Sequence, residues 1–154
     1  KLSEFKGQLL TKEDFLVIGG AGIIDSYYTS NFQIINAHPG LIPSSRGLDS
    51  FKWGILNKIT PGITIHQIDE NVDMGRLIHH EVTTVYESDN IKSLAERHYR
   101  NEINTLSKFI CGTLENKLLS NLPINESKMR MSIDKELEMT KKFDEFKLYC
   151  CSNA

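Results

Sequence analysis

Apolar residues along this chain fall in short bursts whose period changes from one to the next. Phe15-Leu16-Val17-Ile18 is continuously apolar and stops at Gly19-Gly20-Ala21-Gly22, the pattern of a short strand covered on both faces and closed by a turn. Ile23-Ile24 and Tyr27-Tyr28 suit a brief helix. Phe32-Gln33-Ile34-Ile35-Asn36-Ala37-His38 reads as a second strand, cut off by Pro39-Gly40. Residues 39–47 form a loop, and from Leu48 the pattern turns helical, with Phe51, Ile55 and Leu56 near one face and Asp49 and Ser50 suited to the first turn. After Pro61-Gly62, Ile63 to Ile68 alternates with period two, and Arg76 to Val85 supplies a further strand beyond the turn at Asp69 to Gly75.

A long helix is expected from Ser88 or Asp89 to Leu118 or Leu119, with Ser88, Asp89 and Asn90 as candidate caps and Cys111 as a small core residue. Asn121-Leu122-Pro123 is the clearest linker. Ser132 can then cap a last amphipathic helix built on Ile133, Leu137, Phe143 and Phe146. Strands alternating with helices predict an α/β fold, a mostly parallel open sheet with flanking helices and a C-terminal amphipathic helix. The expected division is a catalytic domain over 1–120 and a helical extension over 121–154. Any ligand crevice should lie beyond the carboxyl ends of the strands.

Composition narrows the class. The chain has 154 residues, 18 Lys+Arg against 20 Asp+Glu for a formal net charge of -2, and 40% hydrophobic residues. That describes an ordered domain with a real core. With no long basic stripe it is not a surface built for nucleic acid or anionic membrane, and no run approaches the ~18 apolar residues of a spanning helix. Cys111, Cys150 and Cys151 make neither a disulfide framework nor the four ligands of a structural zinc site, so a reducing cytoplasm is the natural setting. The start at Lys1, without an initiator Met or a signal-peptide apolar region, reads as a beginning inside a longer gene product.

Polar residues gather at the strand ends. Asn36 and His38 are two apart, so on a strand they share a face. An Asn amide can donate to a developing oxyanion, and an imidazole with a pKa near ~6.5 exchanges a proton near neutrality, a pair suited to addition at a carbonyl. Asp73, in a Gly-bounded turn, can orient His38, accept a proton through water, or favour the charged imidazole; these roles are not separated by spacing. The plainer alternative is that Asn36 caps a turn, His38 bonds the backbone and Asp73 caps Met74-Gly75. His38, His66, His79 and His80 are candidate metal ligands, but His79 and His80 are adjacent, face opposite ways in a strand, and belong to no tight His/Cys cluster; no metal is expected. The run from Gly19 to Gly22 lacks the G-x-G-x-x-G arrangement of a nicotinamide or flavin site.

Asn36-Ala37-His38-Pro39-Gly40-Leu41-Ile42-Pro43-Ser44-Ser45-Arg46-Gly47, then Gly62-Ile63-Thr64-Ile65-His66, then Val72-Asp73-Met74-Gly75-Arg76-Leu77-Ile78, resembles the folate-dependent formyltransferase family over about residues 14–118. The resemblance implies transfer of a formyl group from N10-formyltetrahydrofolate to a primary amine. It implies that Asn36 and His38 stabilise the oxyanion of a tetrahedral intermediate, that protonated His38 assists departure of the folate nitrogen, and that Asp73 orients His38 and manages protons through water. It places the pterin and folate linker near Gly20, Ala21, Gly22, Ile23 and Ile24 and the loop of Asp69, Glu70, Asn71 and Val72. Arg46 either faces a carboxylate or phosphate or is a solvated loop residue, and Glu102 resembles the family's helical Glu near the amine substrate, the alternative being a surface charge. His66 is either a support for the Asp73 loop or a satisfied core histidine, and Trp53 packs the helix after the active loop.

By the same resemblance a complete domain would carry about three more strands and a Gly/Ser-rich phosphate loop upstream, so the segment is expected to be the C-terminal part of the fold, its sheet completed by upstream chain or by a homo-oligomer covering the exposed edge. His38-Pro39 resembles the glycinamide ribonucleotide branch, and Arg46-Gly47 with Leu48-Asp49-Ser50-Phe51 resembles the amino-sugar branch. A formyltetrahydrofolate hydrolase and a noncatalytic folate-binding module are the remaining alternatives.

Overall fold

In a computed structural model of the chain, residues 14–19, 24–69, 73 and 75–152 are described. The elements in chain order are β1 (Phe15–Val17), α1 (Ser26–Asn31), β2 (Gln33–His38), α2 (Ser50–Leu56), β3 (Gly62–Gln67), β4 (Arg76–Val82), α3 (Ile91–Ile110), α4 (Ile133–Lys141) and α5 (Phe143–Ser152). They form one four-stranded sheet in the order β1-β2-β3-β4 with helices against it. The α/β architecture is therefore as the sequence pattern implies, but the pairing is not mostly parallel. β1 pairs β2 parallel, whereas β2-β3 and β3-β4 are antiparallel. Alternation of strands and helices does not fix strand direction, and the turn at Asp69 to Gly75 is short enough to return the chain as a hairpin.

Strands β2 and β3 are buried almost throughout, and their register sets Asn36 opposite His66 and His38 opposite Thr64. Ile35, Ala37, Ile63 and Ile65 make one core, covered by Leu106 and Phe109 of α3. A second core joins Ile55 of α2 and Leu94 of α3 to Met131, Met139, Phe143 and Phe146, so the C-terminal segment packs into the same body as α2.

Four expectations change in detail. α3 begins as its caps imply, with Asn90 and Ser93 closing a capping box, but it ends at Ile110 rather than Leu118, because Gly112 adopts φ 66 and breaks the turn. Cys111 is consequently exposed at the helix end, not in the core. The chain beyond lies along β4: Lys117 O accepts from His80 N–H at 2.7 Å and Leu119 N–H donates to His80 Nδ1 at 3.0 Å. These bonds satisfy backbone that would otherwise be an open sheet edge. β4 ends at Val82, short of Val85, and the last helix is two, parted at Lys142.

Candidate active site

The site forms where β2 leaves the sheet. Pro39 cannot continue the strand ladder, so the chain turns directly after His38 into a loop over 39–49 that folds back over the imidazole. His38 is 4% exposed, and its Nε2 lies 2.9 Å from Ser45 O and 3.1 Å from Ser50 Oγ. A carbonyl only accepts, and the Ser50 hydroxyl already donates to Gly47 O at 2.8 Å, so Nε2 carries the ring proton and donates it to the loop. Gly40 makes that approach feasible: a Cβ there would stand 2.8 Å from Ser45 O and 2.9 Å from Nε2.

The other ring nitrogen faces the carboxylate. His38 Nδ1 is 3.4 Å from Asp73 Oδ1, while Asp73 Oδ2 accepts from the Gly47 backbone N–H. Asp73 holds φ 47, a left-handed conformation that Asp tolerates in a tight turn. Asn36, half-buried on β2, donates from Nδ2 to Nε2 of the fully buried His66 at 3.2 Å. That bond leaves a second amide hydrogen for a ligand oxygen. The His38 and His66 rings meet edge-on with centroids 6.3 Å apart. Asn36, His38, His66 and Asp73 thus form one cluster, in which His66 supports Asn36.

Burial is the largest influence on His38 and pushes its pKa below the ordinary 6.5. Asp73 first, and then the Ser45 carbonyl, pull it back, while His66 and Arg46 push it down. The resting imidazole is accordingly neutral near pH 7, protonated on Nε2, with Nδ1 open to receive a proton beside Asp73. The protonated acid that the family resemblance implies would take its proton at Nδ1, beside the Asp73 carboxylate.

Other residues stand as follows. Arg46 is half-buried in the loop, close enough for its charge to act on His38. Glu102 is half-buried on α3, where burial raises its carboxyl above the usual range; no hydrogen bond or ion pair joins it to Asn36, His38 or Asp73 among the described residues. Ile24 is half-buried and Asp69 exposed, whereas Gly20, Ala21, Gly22, Ile23, Glu70, Asn71 and Val72 lie outside the described residues. Trp53 packs as expected against the second core and donates Nε1–H to Met129 O at 2.8 Å.

Sequence reasoning missed Ser45, Ser50 and His98. His98 touches the site from behind: its Nε2 is 3.3 Å from Pro39 O, its Nδ1 is 3.0 Å from Thr83 Oγ1, and Phe51 lies against its ring with centroids 4.8 Å apart. A lone His within a charged helix carries no spacing signal. Ser45 acts through its main chain, which no side-chain motif reports. A groove of about 480 Å3 adjoins the same loop, lined by Ser44, Ser45, Arg46, Trp53, Asn125 and Lys128 among others.

An open α/β sheet here presents an amide, an imidazole and a carboxylate close together at the end of one strand, groups whose chemistry suits polar addition at a carbonyl carbon. The chain belongs to the formyl transferase family, whose model matches residues 17–110. It is 39% identical over 64 residues to GDP-perosamine N-formyltransferase of Brucella melitensis, a match covering 41% of this chain and 25% of that protein. It is 28% identical over 99 residues to phosphoribosylglycinamide formyltransferase of Bacillus subtilis, covering 62% of this chain and 48% of that one. The chain therefore spans a quarter to about half of these curated relatives. In three dimensions it is similar to the formyltransferase PseJ from Anoxybacillus kamchatkensis, solved with UDP-4,6-dideoxy-4-formamido-L-AltNAc and tetrahydrofolate, with a TM-score of 0.63, 24% identity, and coverage of 94% of this chain and 80% of that one.

Proposed function

We propose that this chain carries the chemical centre for moving a formyl group from N10-formyltetrahydrofolate to a primary amine. The observation that carries the reading is the double hold on His38, with Nε2–H donated to Ser45 O and Nδ1 facing Asp73, beside an Asn36 amide with a hydrogen to spare. A neutral amine adds to the formyl carbon, its lone pair forming the new C–N bond as the carbonyl electrons move to oxygen. Asn36 favours that oxyanion over the starting carbonyl. The attacking amine must lose a proton and the departing folate nitrogen must gain one. Nδ1 of His38, with Asp73 at its side, is the group placed to relay that proton.

By the family resemblance the donor would lie along residues 20–24 and 69–72, of which Ile24 and Asp69 are among the described residues. The three cysteines, all free thiols, fit a cytoplasmic setting, and no helix among the described residues is long and apolar enough to cross a membrane.

For the acceptor, similarity to PseJ over 94% of the chain, which takes in residues beyond the 121 linker, favours an amino sugar borne on a nucleotide. The second reading, glycinamide ribonucleotide, rests on His38-Pro39 and on the B. subtilis relative. The deciding experiment measures release of tetrahydrofolate and formylated product with the full natural protein, the folate donor, and a panel containing both amine classes. Transfer to one class and not the other chooses between them. Absence of transfer to any primary amine, with the folded state verified, rejects the proposal.

A further inference from the structure

Residues 121–131 form no helix and no strand of the sheet, yet they are stitched to the loop that grips His38. Asn125 N–H donates to Pro43 O at 3.2 Å and Asn125 Nδ2 donates to Ser44 O at 2.8 Å. Lys128 N–H donates to Arg46 O at 3.0 Å, and Lys128 O accepts from Leu48 N–H at 2.8 Å. Met131 N–H donates to Asp49 Oδ2 at 3.0 Å, and Met129 O accepts from Trp53 Nε1–H. Gly47 and Lys128 pair as an isolated parallel bridge. A loop without regular structure is held along 43–49 by chain more than 75 residues away in sequence.

Those loop residues set both sides of the imidazole. Ser45 O takes the Nε2 proton, one residue beyond the carbonyl that the Asn125 side chain holds, and Gly47 N–H anchors the carboxylate that faces Nδ1. We propose that the 125–131 segment is a positioning strap for the reaction centre, with Asn125 as its positioning residue, acting on His38 through Ser45 and on Asp73 through Gly47. The kinetic part of this inference rests on the formyl-transfer reading; the geometric part does not. Displacement of a catalytic group by about 1 Å is enough to cost rate heavily, so a strap that holds the loop adds to turnover without touching substrate.

The test uses the full natural protein, the Asn125→Asp variant, which keeps the shape of the side chain but replaces the N–H2 donor to Ser44 O by a carboxylate, and, as a destabilised control remote from the loop, Asp89→Asn, which weakens the ion pair of the buried Asp89 with Arg97. Exchange of the His38 Nε2–H with water is followed by NMR, and kcat and KM for the formyl donor are measured in parallel. The strap requires exchange at least about tenfold faster in Asn125→Asp, kcat lower by about tenfold and KM within about twofold, with Asp89→Asn matching the wild type in all three. Should Asn125→Asp fail to fold, Trp53→Phe removes the Nε1–H bond to Met129 at the other end and is read in the same way. Wild-type exchange and wild-type kcat in the foldable variant overturn the strap. Faster exchange in a protein that transfers formyl to nothing, wild type included, supports the geometric hold and rejects the formyl-transfer reading instead.

Discussion

Asp73 Oδ1 stands 3.4 Å from His38 Nδ1, and the other carboxylate oxygen is fixed by the Gly47 N–H. The acid is thus a bridge between a strand end and a loop, and its charge is aimed at the ring nitrogen that lacks a proton in the neutral state. Asp73→Asn keeps the shape and an oxygen for Gly47. It replaces the carboxylate by a neutral group and removes the strongest influence raising the His38 pKa. We expect kcat to fall by about 100-fold with the fold retained. A pH-rate profile superimposable on that of the wild type rejects carboxylate-assisted proton relay.

Asn36 supplies a donor without a charge. Asn36→Asp preserves its volume but sets an anion where negative charge develops and replaces the donor to His66 Nε2 by an acceptor. Loss of one oxyanion donor costs about 10²–10³ in kcat, and like-charge repulsion adds to that. KM for the donor should move much less. An Asn36→Asp enzyme within threefold of wild-type kcat would remove the oxyanion role.

How much of this was legible beforehand follows from what each residue works through. The strand-end pair Asn36 and His38 and the turn acid Asp73 are side-chain functions with fixed spacing, and the structure joins them. The hold on Nε2 comes from a main-chain carbonyl at Ser45, whose direction depends on the loop path and on Gly40, and no pattern of residue types encodes that. Strand direction failed for a related reason: residue types do not say which way a strand runs, and the antiparallel pairing of β2 with β3, joined through α2, and of β3 with β4, joined by the Asp69 to Gly75 turn, follows from the path of those connections. The end of α3 was readable from Gly112 but was overrun by Leu114 and Leu118, which continue the apolar rotation outside the helix.

Gly47 is a place where backbone conformation limits the sequence. It holds φ 90, and a Cβ there would stand 2.1 Å from Lys128 O and 2.6 Å from Lys128 N, both main-chain atoms. Gly47→Ala therefore pays in strain and displaces either the loop or the 125–131 segment, at about 2 kcal/mol or more of stability. Chemical denaturation should register that loss, and turnover should drop in the fraction still folded, since Gly47 N–H anchors Asp73. Unchanged stability would mean that the bridge to Lys128 does not exist in solution.

His98 links the site to stability through pH. It is 4% exposed between Pro39, Thr83 and Phe51, and burial, its dominant influence, lowers its pKa to about 4 against the ordinary 6.5. The unfolded chain binds a proton at His98 that the folded chain refuses, so folding stability rises with pH across this window. The contribution is complete above pH 6.5 and is lost as pH falls from there toward about 4, amounting to about 3 kcal/mol. His38 and His80 are also lowered by burial and slope the same way, so the comparison must be between proteins rather than against a flat line. His98→Gln, which keeps polar atoms for Thr83 and Pro39 but cannot titrate, should show a shallower loss of stability between pH 6.5 and 4 than the wild type in urea melts. Equal slopes in the two proteins would show that His98 is not held neutral in the folded state.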